Sequence, residues 1–151
     1  MMGNISYGEA KETDIPYLVN LLSILFNIEK DFSPDLTKQK NGLELLLNKT
    51  VATIKVARNS NGTVIGMVTA QLVISTAQGS ASAWIEDMVV DPLYREHGIG
   101  KQLLLQALEW AKIGGATRAQ LLVDITNTDA IGYYEHLKWE STQLQARRVF
   151  L

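Results

Sequence analysis

The stretch "DPLYREHGIGKQLL", Asp91 to Leu104, constrains this chain more than any other. The preceding "ASAWIEDMVV" alternates and carries β-branched residues, which predicts a strand, and Asp91-Pro92 ends it because proline cannot donate to a ladder. In the following "KQLLLQALEWAKIGG", Leu104, Leu108 and Ala111 share a stripe with Leu103, Ala107 and Trp110 beside it, and Gly114-Gly115 stop the helix. A strand thus feeds a two-glycine loop and an amphipathic helix. The first N–H groups of such a helix lack internal partners and lie at the positive end of its dipole, which suits an anion. Gly98 and Gly100 remove Cβ atoms that would keep a phosphate off the backbone, and Arg95, His97 and Lys101 can add positive charge. On its own, "REHGIGK" reads equally as a pyrophosphate cradle or as a tight strand-to-helix turn. The dinucleotide fingerprint is missing because Leu103 takes its third glycine position. The P-loop pattern is missing because Arg95 and Gln102 replace its first glycine and its hydroxyl.

The rest of the chain alternates between helical and strand periods. "ISYGEA" predicts a first strand, and "KETDIPYLVNLLSILF" a helix with Thr13 as N-cap, Pro16 in its first turn and Leu18, Leu21, Leu22 and Leu25 at helical spacing. Ser33-Pro34 resembles the cap and first position of a second helix through "LTKQKNGLELLLNK". "ATIKVAR" and "TVIGMVTAQLVIS" alternate around Asn61-Gly62, a hairpin signal. "RAQLLVDI" predicts a strand, "NTDAIGYYEHLKW" a helix capped by Asn127 or Thr128, and "QLQARRVFL" a last strand. The expected order is β, two helices, three strands, helix, strand, helix, strand. That is an α+β chain, read as one domain over residues 1–151 with a mostly antiparallel mixed sheet of six to seven strands and about four helices.

Composition removes several function classes. A chain of 151 residues that is 46% hydrophobic can bury a real core. With no cysteine and only two histidines, neither a disulfide framework nor a metal site is expected. A net charge of −2 without a clustered basic stripe argues against nucleic acid as a partner. No signal-peptide pattern opens the chain and no apolar run approaches the ~20 residues that span a bilayer, so no membrane partner is expected and the expected location is cytoplasmic.

The segment "WIEDMVVDPLYREHGIGKQLLLQALEWA" resembles motif A of the GNAT superfamily of acyl-CoA-dependent N-acetyltransferases, whose signature Q/R-x-x-G-x-G/A is met by Arg95, Gly98 and Gly100. "NTDAIGYYEHLKW" is similar to the family's motif B through Asn127, Ala130, Tyr133, Tyr134, Leu137 and Trp139. The order of elements matches the family over nearly the whole chain, and "IEDMVV" with "YREHGIG" is especially similar to the branch that contains polyamine acetyltransferases. The resemblance implies acetyl-CoA as cofactor. Arg95, Glu96, His97, Gly98, Ile99, Gly100 and Lys101 would hold its pyrophosphate, Met88, Val89 and Val90 would pair with the pantetheine arm, and Asn127 would contact that arm. Tyr134 matches the tyrosine that protonates the leaving thiolate. Two positions depart from the pattern: Glu96 and His97 stand where many members have glycine or a basic residue, and Lys138 stands where glycine is usual.

An alkylammonium acceptor with a pKa of about 10.4 must lose a proton before it can attack, at roughly 4–5 kcal/mol at pH 7. Strict alternation puts Trp84, Glu86, Met88 and Val90 on one face and Asp87 on the other, unless a bulge exchanges them. Glu86 is the expected base and Tyr134 the expected acid. With no cysteine to form an acyl-enzyme, the amine attacks directly in a ternary complex. A small-molecule or peptide amine is the expected acceptor, met by the connection "FNIEKDFSPDL" with Glu29, Asp31, Asp35, Phe26 and Phe32. The alternative is a coenzyme A-binding module without turnover. The last strand is able to pair or swap across a symmetry axis, which allows a homodimer.

Overall fold

The computed structural model describes residues 3–151. Five strands, β1 (Ser6–Glu9), β2 (Ala52–Arg58), β3 (Val64–Ser75), β4 (Ser80–Val90) and β5 (Ala116–Leu121), form one sheet in that order. The first four are antiparallel, and β5 runs parallel to β4. A parallel neighbour needs a crossover, and the helix expected after the glycine loop supplies it. The four helices are α1 (Ile15–Ile28), α2 (Leu36–Leu47), α3 (Ile99–Ile113) and α4 (Thr128–His136). Among the described residues no helix is long and apolar enough to cross a membrane.

The hydrophobic stripes decide the layers. Leu18, Leu21 and Leu22 of α1 and Leu43 of α2 pack with Ile54, Val56, Val64, Met67 and Val89 on one face of the sheet. Leu103, Leu104, Ala107 and Ala111 of α3 pack with Ile65, Val68, Ala70, Ala83, Ile85 and Val90 on the other. Burying each Leu, Ile or Val side chain contributes about 1.5–3 kcal/mol, so these two seams hold the helices to the sheet.

Local signals set the ends of the elements, with some shifts from the expected residues. Asp14, not Thr13, is the N-cap of α1; its carboxylate accepts the Lys11 N–H at 2.8 Å and both terminal nitrogens of Arg58 at 2.8 and 2.6 Å. Asp35, not Ser33, caps α2: its side chain accepts from Lys38 N at 3.0 Å, while Gln39 Oε1 accepts the Asp35 N–H at 2.7 Å. A carboxylate one position after Pro34 is the better acceptor for those first donors. The hairpin turns at Gly62 (φ 80), where the Asn59 side chain accepts from Asn61 N and Thr63 N at 3.0 Å each. Asn127 caps α4 through Ala130 N at 3.1 Å.

The sheet has five strands where six to seven were expected, because "QLQARRVFL" forms none. Alternation makes a segment able to be a strand, but a strand exists only beside a neighbour, and this segment has none among the described residues. β5 also stops at Leu121, so Leu122 to Ile125 leave the sheet.

One of the register shifts in the sheet is a bulge in β4. Met67 pairs with Val89 and Thr69 with Glu86, so Val68 alone faces both Asp87 and Met88. Asp87 takes a left-handed conformation (φ 55) to fit the extra residue. Before the bulge, Ala83 and Ile85 point to α3; after it, Met88 and Val90 do, and Val89 points to α1 and α2. Glu86 therefore does not share a face with Met88 and Val90.

Candidate functional site

The pairing of β4 with β5 ends at Ile85 opposite Leu121, whereas its pairing with β3 runs on to Val90. The two parallel strands part there, and the edge of β4 from Glu86 to Val90 is left without a neighbour on the β5 side. Met88, Val89 and Val90 lie on that edge, with no strand paired on the β5 side and the side chains turned into the packing on both faces.

The open edge leads to the glycine loop. Asp91 Oδ1 accepts from Leu93 N at 2.9 Å and starts a 3₁₀ turn over Pro92–Tyr94. Arg95 folds back, its Nε donating to the Val90 carbonyl at 3.0 Å, which ties the loop to the end of β4. Glu96 (φ 65) and Gly98 (φ 78) are both left-handed on either side of His97. Helix α3 begins at Ile99, two residues before the expected Lys101, and its first i→i−4 bond runs from Gln102 N to the Gly98 carbonyl at 3.1 Å. The N–H groups of Ile99, Gly100 and Lys101 therefore precede the helix's own ladder. Ile99 is buried and anchors the turn, while Arg95, Glu96, His97, Gly98 and Lys101 are exposed. Glu96 pairs with neither Arg95 nor Lys101 among the described residues.

Gly100 marks where backbone and side chains meet most closely. A Cβ there would lie 3.2 Å from Tyr133 Oη and 3.3 Å from Met88 Sδ. The structure thus brings together the start of α3, the bulged end of β4 and helix α4. Tyr134 is enclosed between Tyr133 (ring centroids 5.5 Å apart) and Trp139 (5.9 Å), both edge-on. Burial first, then the neighbouring Tyr133 and Glu29, push its pKa up to about 12. Burial also raises Tyr133. Asn127 spends its side-chain oxygen on capping α4, which leaves its amide N–H groups as the outward donors. His136, the last residue of α4, is exposed.

Carboxylates gather on the other side of the open edge. Glu86 is exposed and accepts the Trp84 indole N–H at 2.7 Å. Asp87 is partly buried, and burial, then Glu86 and Glu29, raise its pKa to about 7 against the lowering effect of the Thr69 hydroxyl. Glu29, where α1 ends, is raised by burial and then by Asp124, Asp31 and Glu86. Thr126 lowers Asp124 through its backbone N–H (2.8 Å) and its hydroxyl (2.7 Å). Phe26 and Phe32 lie beside this turn with ring centroids 5.4 Å apart and planes tilted by 42°, whereas Asp35 is taken up by the α2 cap. Among the described residues no group of three or more His, Cys, Asp or Glu converges as metal ligands.

Sequence reasoning named Glu86, the loop, Asn127 and Tyr134 as candidates, and Asp87 only as the residue that a bulge would exchange with Glu86. The bulge was its only signal, and that depends on register with β3. The two departures from the glycine pattern also gain a meaning: Glu96 (φ 65) and Lys138 (φ 72) both adopt the left-handed backbone that glycine takes without strain.

A model of the GNAT acetyltransferase family matches residues 21–139. An uncharacterized N-acetyltransferase of Methanocaldococcus jannaschii is 34% identical over 85 residues, 56% of this chain and 38% of that protein, so the match spans well under half of the relative's length. A transcriptional regulator of Bacillus halodurans superposes with a TM-score of 0.83 at 27% identity, over 97% of this chain and 100% of that one. The aminoglycoside N-acetyltransferase AAC(6′)-Iy, solved in complex with CoA, has the same fold at 18% identity (TM-score 0.81, over 98% of this chain and 93% of that one).

Proposed function

The chain belongs to the GNAT family of acetyltransferases, and on that premise we propose that it transfers an acetyl group from acetyl-CoA to a primary amine by direct attack in a ternary complex. The observation that carries this reading is the unpaired β4 edge from Glu86 to Val90 running into the first turn of α3. An extended amide arm can add to that edge as a strand would, and a pyrophosphate suits the free N–H groups of Ile99, Gly100 and Lys101. The close approach of Met88 and Tyr133 to Gly100 supports the fit, because any Cβ at residue 100 would crowd the corner between strand and loop. Arg95, His97 and Lys101 add exposed positive charge there.

Bound acetyl-CoA supplies the acetyl group as a thioester. The chain's own residues handle protons and charge. Of the two acids, Asp87, held at about 7, is matched to take a proton from the acceptor ammonium near neutral pH. Glu86, fixed by the Trp84 indole, stands beside it to hold the cation. With acetyl-CoA bound, an amine so freed would be able to take the acetyl group, its second proton going to the thiol of the coenzyme A released. A thiol of pKa about 8.5 is a stronger acid than Tyr134 at about 12. Tyr134 therefore stays protonated and stabilises the developing thiolate as a hydrogen-bond donor.

The carboxylates Glu29, Asp31, Glu86, Asp87 and Asp124 beside Phe26 and Phe32 favour an acceptor with positive charge beyond the reacting amine and an apolar body. The test is a calorimetric titration with acetyl-CoA, with ATP and NAD as controls, followed by measuring coenzyme A release with diamines, polyamines, aminoglycosides and lysine peptides. Selective binding with amine-dependent release supports the reading. Binding without turnover on any amine reduces it to a coenzyme A-binding module, and no binding overturns it.

A further inference from the structure

We propose that Arg118 binds the anionic end of the acceptor, and that the acceptor is an extended peptide with a carboxylate on the fourth or fifth residue from its reacting N-terminal amine. The proposal rests on the acetyl-transfer reading for the amine end and on the geometry of the sheet for the rest.

The sheet face toward α1 and α2 is covered at one end only. The seam with those helices takes Ile54, Val56, Val64, Met67 and Val89. Toward the other end Ala70, Leu72, Ala83, Ile85, Ala119 and Leu121 turn to α3, so alternation turns Gln71, Val73, Ser82, Trp84, Arg118 and Gln120 to the α1–α2 side. None of these six belongs to the helical seam. Val73 is 50% exposed, and Gln71, Trp84, Arg118 and Gln120 are half-buried. The uncovered patch runs directly into Glu86, the next residue of that face on β4.

Its polar groups have an order. At ~3.3 Å per residue, Ser82 lies about 13 Å from Glu86 along β4, with Trp84 between them. Register sets Arg118 beside Ser82, and Gln71 and Gln120 on either side of Trp84. The buried Ser82 hydroxyl accepts from Arg118 Nε at 3.2 Å. That bond fixes the guanidinium at the end of the patch, and among the described residues no carboxylate pairs with it. The Trp84 indole N–H is aimed at Glu86 (2.7 Å), so the ring fills the interval between acid and arginine.

This order suits a dipolar chain. An ammonium belongs at Glu86 and Asp87, an anion at Arg118, and what joins them crosses an indole flanked by two amides. An extended peptide has the same rise per residue as β4, so the side chain of its fourth or fifth residue reaches Arg118 when its first nitrogen is at Glu86. Gln71 and Gln120 each offer a donor and an acceptor to its amide groups, and a guanidinium takes a carboxylate with two parallel bonds. Glu29, Asp31 and Asp124 favour positive charge at the reacting end only. A polyamine, by contrast, would bring like charge to Arg118.

The test is calorimetry in the presence of coenzyme A with five-residue peptides, free at the first nitrogen and amidated at the last carbonyl. One set has Asp at positions four and five, one has Asn there, and one has a single Asp at position two. The first is expected to bind the native chain about tenfold or more tightly than the second, and the third to show no such gain. Arg118→Gln should abolish the gain and Arg118→Lys should restore part of it, with circular dichroism unchanged in both. Equal affinity of the Asp and Asn peptides for the native chain, a comparison that needs no variant, overturns the proposal, and so does a gain that survives Arg118→Gln. Coenzyme A release from acetyl-CoA with the same peptides separates the two readings. Acid-dependent binding without transfer to any amine supports the Arg118 subsite and removes the acetyl-transfer reading. Transfer to amines without acid-dependent peptide binding keeps that reading and overturns the subsite.

Discussion

The hydroxyl of Thr69 lies 3.2 Å from a carboxylate oxygen of Asp87 and 3.1 Å from the Glu86 carbonyl, across the β3–β4 pair and beside the bulge. One hydroxyl proton serves two acceptors. When Asp87 is protonated, its own O–H can donate to Thr69, and the threonine proton turns wholly to the carbonyl. Both protonation states of Asp87 then keep a partner, which lets a partly buried carboxyl titrate near pH 7 without leaving a polar atom unpaired.

Asp87→Asn is expected to remove the acid limb of kcat/KM near pH 7 and to lower kcat by about 10²-fold or more, while acetyl-CoA affinity is kept. Glu86→Gln should keep that limb but move it to lower pH, because the Glu86 charge helps to raise Asp87. Stability should move the opposite way. A carboxyl whose folded pKa (about 7) exceeds its unfolded value (about 3.9) loses stability as pH rises between the two. The Asn variant should therefore melt higher than the native chain at pH 8 and similarly at pH 3.5. A limb that persists in Asp87→Asn would assign the base elsewhere.

Tyr134→Phe should lower kcat by about 10²-fold with little change in the acetyl-CoA dissociation constant, because its hydroxyl is engaged only as the thiolate forms. Tyr133→Phe should affect cofactor binding more than turnover, since its hydroxyl lies against the Gly100 turn. Steady-state rates and calorimetry on both variants separate the two.

Gly100→Val should weaken acetyl-CoA binding by roughly tenfold or more, about 1.4 kcal/mol. Its first carbon already meets Tyr133 Oη at 3.2 Å and Met88 Sδ at 3.3 Å, and the branched methyls have nowhere to go but the cradle. Calorimetry on the folded variant checks it; unchanged affinity would remove the loop from the cofactor site.

Arg58→Leu leaves the buried Asp14 carboxylate without its bidentate partner and should lower unfolding free energy by about 1–3 kcal/mol at pH 7. The Arg58 hydrogen bond is the main cause that holds Asp14 below the usual carboxylate range. A depressed folded pKa gives stability that is present above about pH 4 and lost as pH falls through the folded value. The difference between native and variant in urea should therefore shrink in acid.

Lys138→Gly should raise stability by roughly 0.5–1 kcal/mol, because Lys138 holds φ 72 at the end of α4 and the left-handed cost to an L side chain, about 1–2 kcal/mol, exceeds the extra unfolded-chain entropy of glycine. Thermal unfolding of the single variant measures it.

What the chain determined by sequence alone is local: the helices by their leucine spacing, the hairpin by Asn61-Gly62, and the loop at Arg95 to Lys101 by two glycines between a strand and a helix. Neighbours along the chain suffice to specify these, so they are legible without a fold. Tertiary structure decided the rest. The side on which Glu86 and Asp87 fall depends on Val68 facing two residues of β4, a matter of register between strands. Burial among residues far apart in the chain is the main cause, ahead of the charges of Glu86 and Glu29, that separates Asp87, raised to about 7, from an ordinary surface acid. And "QLQARRVFL" alternates as a strand should, yet forms none, because a ladder's hydrogen bonds lie between strands and not within one.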